Sequence, residues 1–317
     1  MKLGQIYNLD SLKKLEAQST LAMFKDSDAG VILARSLTHV DPKVFEKKYP
    51  ELVFMNSGIT IDNSGGYVQR IQSRRIEDLG GFANAGDAAD NKGKISLKGD
   101  QSAIKVIERE AHSKWTDTQI KQAELENRNL VTDYIQAHNK IYMRELDQAG
   151  YTGVGGNLGL LNYTGFTSGA ASGAIGTLTP QQMYDEIAGL LTDQWNGVAN
   201  TVEYKANRVD MPVSVLNVLN VTILNTASGS SSVLKGLQDN FPGVEFRGTE
   251  RAEDVGGNSV TVAYSNNEES MIFRLPLALT VGEIIKTGSF DFQVDSKYRV
   301  AGVDFLEDTS GRILTGL

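Results

Sequence analysis

The residues best equipped for chemistry are few and scattered. Three histidines occur in 317 residues, His39, His112 and His138, and there is no cysteine. Nucleophilic catalysis needs a base beside a nucleophile. None of the three histidines stands in a motif with Ser or Asp, and no Gly-x-Ser-x-Gly elbow occurs. His138 falls on the apolar flank of a helical stretch, His112 ends a strand-like one and His39 precedes Pro42, so each reads as a structural residue. Zinc would need clustered His or carboxylate ligands at helical spacing, and these are missing. The tract Gly153-Val154-Gly155-Gly156-Asn157-Leu158 fails the dinucleotide fingerprint at its third glycine and follows a helix rather than a strand. The acidic run Asp87-Ala88-Ala89-Asp90-Asn91-Lys92-Gly93 lacks the alternating oxygen ligands and closing glutamate of a calcium loop. No Gly-Lys-Ser/Thr phosphate loop is present. The sequence therefore predicts no catalytic, cofactor-binding or metal-binding residues, no cofactor, and a protein that is not an enzyme.

With no site to position, the elements themselves carry the information. Hydrophobic residues make up 40% of the chain and charged ones 22%, values that support a real core. A net charge of −8 argues against a nucleic-acid binder, which needs basic patches to release counterions. The start, Met1 to Asp10, lacks a charged segment followed by an apolar one, so no signal peptide is expected. No run approaches the ~18 apolar residues of a membrane span.

The most telling segment runs from Thr116 to Ala149 without Gly or Pro. Thr116 with Gln119 has the form of a capping box and Gly150 sits where a left-handed cap belongs. The spacing predicts one helix, a rod of roughly 50 Å. Before it, Tyr67–Ile76 and Ser102–His112 read as two strands of a charged hairpin. The ribbon has no face apolar enough to bury and is marginal in water by itself. Between the strands lies a Gly-, Ala-, Asp-, Asn- and Lys-rich stretch too long for a compact domain without a function. Ribbon and rod together predict a surface that something outside the domain must cover.

Elsewhere, residues 1 to about 50 read as an arm with short helices, Asp10 capping one of them. Gly153 to Ser172 is a small-residue tract, flexible by composition. Thr179-Pro180 starts a helix reaching about Asn200. Then come a strand at Val209–Leu216, a helix at Val233–Asn240 and a strand at Val244–Thr249. Val260–Tyr264 and Met271–Leu275 are expected as a hairpin around Asn266-Asn267, and Phe290–Val294 and Tyr298–Leu306 as a closing pair. The fold class is α+β.

Three stretches in this order resemble the major capsid proteins of tailed bacteriophages, the Hong Kong ninety-seven fold shared with encapsulins. They are Ser36-Leu37-Thr38-His39-Val40-Asp41-Pro42 through Lys47-Lys48-Tyr49-Pro50; the charged hairpin with Asp78-Leu79-Gly80-Gly81-Phe82-Ala83, followed at once by the helix; and Gly159-Leu160-Leu161-Asn162. Met211-Pro212, Ala263-Tyr264, Arg274-Leu275-Pro276 and Arg299-Val300-Ala301-Gly302-Val303 are similar to the family's later segments. Order and spacing carry the weight, since no one motif is specific. The resemblance implies an N-terminal arm (1–50), an E-loop hairpin with a flanking strand (51–115), a spine helix and glycine-rich loop of a peripheral domain (116–177), an axial domain (178–285) and closing peripheral strands (286–317). It implies an icosahedral head shell built from hexamers and pentamers of the chain. That shell would enclose a double-stranded DNA genome without sequence-specific binding, have scaffolding, portal and cement proteins as possible partners, and meet no membrane. The protein would be assembled in the host cytoplasm and reside in the virion. The hairpin would lie across an adjacent subunit, with Arg70, Arg74, Arg75, Lys105, Glu108, Arg109 and Glu110 as inter-subunit contacts. Some members crosslink an E-loop lysine to a neighbour's asparagine; Lys92, Lys94 and Lys98 stand in this loop, and nothing marks one as reactive. A built-in scaffolding segment is not expected ahead of the arm.

Other readings compete. An encapsulin-type nanocompartment shell has the same fold around protein cargo. A cytosolic α+β enzyme with a helical arm, or a decoration or tail component, would use these elements differently.

Overall fold

The computed structural model describes residues 52–82, 94–126, 128–198, 201–225 and 231–317. The expected N-terminal arm, Lys92 and the acidic run at 87–93 lie outside them.

After a helical turn at Phe54–Asn56 come β1 (Thr60–Asp62), β2 (Arg70–Gly80), β3 (Ile95–Lys105) and β4 (Ile107–Thr116). Helices α1 (Asp117–Leu125) and α2 (Leu130–Tyr151) follow, then β5 (Thr167–Ala170) and α3 (Pro180–Gly197). The next stretch holds β6 (Arg208–Pro212), α4 (Val213–Val221), β7 (Ile223–Asn225), β8 (Ser231–Ser232), α5 (Val233–Asn240) and β9 (Glu245–Thr249). Strands β10 (Val260–Tyr264), β11 (Met271–Arg274), β12 (Leu277–Val281), β13 (Ile285–Lys286), β14 (Asp291–Val300), β15 (Gly302–Phe305) and β16 (Gly311–Thr315) finish the chain.

The central sheet has the order β5-β16-β10-β6-β9. Strand neighbours point alternate side chains to opposite faces, and here each face meets its own core. Val262, Tyr264 and Ile313 join Phe54, Leu146, Tyr151, Leu160, Leu161 and Phe273 on one side. Ala263, Val209, Met211 and Leu314 join Ile187 and Leu191 of α3, Leu219 of α4 and Leu237 of α5 on the other. Every residue of β10 is buried. A second sheet, β12-β14-β13, is extended by β4, which pairs with β14 over ten residues from Thr116↔Asp291 to Ile107↔Val300. A third, β1-β11-β15, borders the first core.

Several sequence expectations change. The rod is two helices. The Thr116 capping box is present, with Gln119 N–H donating to Thr116 Oγ1 at 3.3 Å and Thr116 N–H to Gln119 Oε1 at 3.0 Å. But α1 ends at Leu125, and Asn129 caps a new helix by accepting Thr132 N–H at 3.2 Å. Asparagine favours such caps over helix interiors because its side chain competes for backbone donors. Gly150 is inside α2, where an added methyl group would overlap the Phe54 ring. The left-handed turn falls instead on Gly153, at φ +85°.

The second ribbon strand divides at Val106. Residues up to Lys105 stay in the hairpin, while β4 is covered by β14. Val209–Leu216 switches from strand to helix at Pro212, because Val215 and Leu219 recur at helical spacing and bury into the second core. β10 and β11 are not a hairpin: they belong to different sheets. Ser265 Oγ donates to Glu203 O at 2.7 Å, and Asn266 N–H to Asn207 Oδ1 at 3.1 Å, tying the connection down as it crosses between sheets. The closing pair likewise separates, β14 running unbroken to Val300 while β15 pairs with β11. The helix from Pro180 and the one at 233–240 stand as expected.

Candidate functional site: the projecting hairpin and its root

Strands β2 and β3 pair over eleven positions, from Arg70↔Lys105 to Gly80↔Ile95, and among the described residues no third strand joins them. Every described side chain from Arg74 to Phe82 and from Lys94 to Ala103 is exposed. One face carries Arg70, Gln72 and Arg74 opposite Lys105, Ala103 and Gln101, then Ile76, Leu97 and Ile95 toward the tip. Those three apolar residues are 69%, 70% and 58% exposed, and Phe82 beyond them is 95% exposed. The two strands hold five cations (Arg70, Arg74, Arg75, Lys98, Lys105) against three anions (Glu77, Asp78, Asp100), in a chain whose net charge is −8. The hairpin is therefore a basic, part-apolar projection from an acidic body.

The opposite face is bound at its root. Ser73 Oγ donates to Asp304 Oδ2 at 2.5 Å. Arg274 reaches the same carboxylate through Nε at 3.1 Å, donates from Nη2 to Ser73 Oγ at 3.2 Å and pairs with Asp62. Burial raises the Asp62 pKa, but hydrogen bonds from Ser64 and the Arg274 guanidinium outweigh it and hold the carboxyl below its ordinary value. Arg75 pairs with Glu307 and donates to Leu306 O at 3.4 Å. Val106 N–H donates to Gln69 O at 3.0 Å. Asn157 Nδ2 donates to Lys105 O and Ala301 O, both at 2.7 Å.

Of the seven residues singled out in the sequence, four are on the hairpin (Arg70, Arg74, Arg75, Lys105) and three on β4 (Glu108, Arg109, Glu110). Two have partners in their own chain: Arg75 with Glu307, and Glu108 with Arg299 at 3.2 Å. The other five form no ion pair with a described residue. Sequence reasoning missed Ser73, Arg274, Asp304, Glu307 and Asn157, since their partners lie from 30 to 232 residues away along the chain and leave no local pattern.

The glycine tract is fixed rather than loose at its start. Leu160 N–H and Leu161 N–H donate to Gly150 O and Tyr151 O at 2.9 Å each, and both side chains are buried. Asn162 Oδ1 accepts Gly159 N–H at 2.7 Å while its Nδ2 donates to Thr152 O at 3.0 Å. Gly159-Leu160-Leu161-Asn162 is thus a buried corner.

Two buried polar clusters lie away from the hairpin. His138 sits between two serine hydroxyls, Ser113 Oγ at 2.7 Å and Ser296 Oγ at 2.5 Å, which pins α2 to β4 and β14. Asp210 lies in the central sheet and accepts the hydroxyls of Tyr151 at 2.9 Å and Tyr264 at 3.0 Å through one oxygen, while the other has no partner. Desolvation pushes its pKa up to about 6 against the opposing pull of those hydroxyls, Arg247 and Arg208. Among the described residues no group of three or more His, Cys, Asp and Glu could hold a metal, and no helix is long and apolar enough to cross a membrane.

The family model for the major capsid protein matches residues 83–316. The capsid of Myoviridae phage XM1 is 41% identical, with a TM-score of 0.83, covering 90% of this chain and 98% of that one. The chain belongs to the major capsid protein family. The capsid of the native GTA particle is 15% identical (TM-score 0.66, 87% and 95% covered), and a solved structure of Mycobacterium phage Ogopogo 12% (0.60, 88% and 96%). These two show the shared fold alone. Curated proteins gave no match.

This capsid protein thus has the mixed α+β architecture of the Hong Kong ninety-seven type and is a subunit of a phage head shell. The encapsulin, enzyme and tail-component readings give way to it. In a major capsid protein the His138 and Asp210 clusters read as internal ties, and the exposed hairpin becomes the region of functional interest.

Proposed function

We propose that the hairpin of this capsid protein lies across a neighbouring copy, and that hexamers and pentamers so linked close a shell around double-stranded DNA. The supporting observation is the projection itself: a two-stranded ribbon, exposed on both sides beyond Arg74, with a basic and partly apolar face in an acidic chain. A ribbon of two strands is not stable on its own in water, and the body of a second copy supplies both cover and opposite charge. Arg70, Arg74 and Lys105, with Arg109 and Glu110 of β4, are the contacts from this chain; Ile76, Leu97 and Ile95 add apolar area toward the tip. In domain terms the hairpin is the E-loop, α1 and α2 with β4 and β14 the peripheral part, and α3 to β9 the core of the axial part. Exposed ion pairs contribute only about 0–1 kcal/mol each, so assembly stays correctable until many contacts have formed. Acidic balance suits a container that does not trap its genome, with portal and scaffolding proteins as further partners of the assembling head in the host cytoplasm.

The test is Arg70→Glu with Arg74→Glu, two residues without an ion-pair partner among the described residues. The subunit should fold with unchanged circular dichroism, and assembled particles should be lost in electron micrographs. Particles at normal yield would refute the hairpin's role.

A further inference from the structure

We propose that Arg75 and Ser73 do not reach a neighbour but clasp the hairpin onto its own subunit, with Glu307 and Asp304 as positioning residues that set its angle for assembly. The inference rests on the preceding reading in assuming that a correctly aimed hairpin is what assembly needs.

Glu307 carries the case. Its side chain is only 9% exposed, and a buried carboxylate is costly unless paired. Among the described residues the cation it pairs with is Arg75, on the hairpin. Its two oxygens divide the work: Oε1 accepts Thr309 Oγ1–H at 2.9 Å and Thr309 N–H at 3.4 Å, leaving Oε2 for the guanidinium. The carboxylate is thus oriented by its own turn toward the place where the hairpin passes. Asp304, also buried, is neutralised by Arg274 and presents the oxygen that receives Ser73. Ser73 and Arg75 share a face of β2, since residues two apart point the same way, and that face is turned to β15 and the turn after it. Arg74, one residue away, faces outward. Two adjacent arginines therefore have different jobs.

The lever is long. From Ile76 to Phe82 the described chain runs on with every described side chain exposed, roughly 20 Å at the rise of a strand. A tilt of about 10° at the root then moves the tip by roughly 4 Å, more than an interface tolerates.

Charge exchange separates a clasp within one chain from a contact between chains. Arg75→Glu and Glu307→Arg should each lower particle yield at least tenfold, and the double variant should restore it. Co-expressing the two single variants should not restore it, because each chain would still hold a broken clasp; a pair between subunits would be repaired in such mixtures. A second measurement does not depend on assembly. The chain has no cysteine, so Leu97→Cys with Thr192→Cys places spin labels on the hairpin and on α3 of the purified subunit. Adding Arg75→Gln should at least double the width of the label distance distribution. Rescue by the mixed singles, an unchanged distribution, or normal particles from Arg75→Gln would each overturn the clasp. Failure of the contact reading instead shows as normal particles from Arg70→Glu with Arg74→Glu.

Discussion

Two β structures in this capsid protein obey the same pairing rules and reach opposite ends. Strand β10 is buried at all five positions, with Val262 and Tyr264 feeding one core and Ala263 the other. Strands β2 and β3 are twice as long and regular over eleven pairs, yet exposed beyond their root. Pairing satisfies the backbone of β10 along both edges, and that of β2 and β3 along one edge each. Only the first satisfies its side chains within one chain, so stability resides there, and the second is left as the surface proposed to meet a neighbour. A shell subunit needs both, because a body that folds alone must still present a surface that is incomplete alone.

The difference can be tested from its largest consequence downward. Phe54 packs against Tyr151 and Phe273 in the first core, at ring-centroid distances of 5.4 and 5.0 Å. Phe54→Ala should cost about 3–5 kcal/mol in urea denaturation of the subunit, whereas Phe82→Ala, at 95% exposure, should stay within about 0.5 kcal/mol. Comparable losses from the two would erase the contrast.

Asp210 gives the next effect. Its folded pKa, about 6, lies above the ordinary 3.8. The unfolded chain therefore loses its proton first as pH rises. Stability contributed by the protonated group is complete below about pH 3.8 and is lost as pH rises through about 6, an effect of roughly 3 kcal/mol. Asp210→Asn, which cannot ionise, should flatten that decline between about pH 4 and pH 7 in melting experiments. An unchanged slope would remove Asp210 as its source.

Gly150→Ala places a methyl group against the Phe54 ring and should cost about 1–3 kcal/mol by overpacking. Its opposite number is Gly99, beside which nothing lies within 4 Å, and Gly99→Ala should leave melting almost unmoved. Smallest of all for folding is Ile76→Ser with Leu97→Ser. Subunit stability should change by less than about 0.5 kcal/mol, while particle yield falls; equal yield would confine the hairpin's role to its charges.

Local signals were legible in the sequence. The capping box at Thr116 and the helix start at Thr179-Pro180 both form, and the α+β class with a hairpin ahead of a helical segment follows from spacing. What could not be read was decided by competition between equivalent local caps or by distant partners. The helix break at 126–129 depends on Asn129 taking a cap that Asn at many positions does not take. Pro212 turns an apolar run from strand to helix because Val215 and Leu219 then bury in the second core. Asn266-Asn267 has the composition of a hairpin turn, but β16 and β15 compete successfully for β10 and β11. The root residues Ser73 and Glu307 carry no pattern at all, since the chain brings their partners from beyond residue 300 or before residue 76.

One sheet sandwiched between two cores also makes the subunit's body stiff. Sliding one core past the other would shear five paired strands and strip the buried Asp210 carboxylate of its tyrosine hydroxyls. A load on that body is then shared by both cores through the hydrogen bonds of the sheet rather than relieved by slip between them.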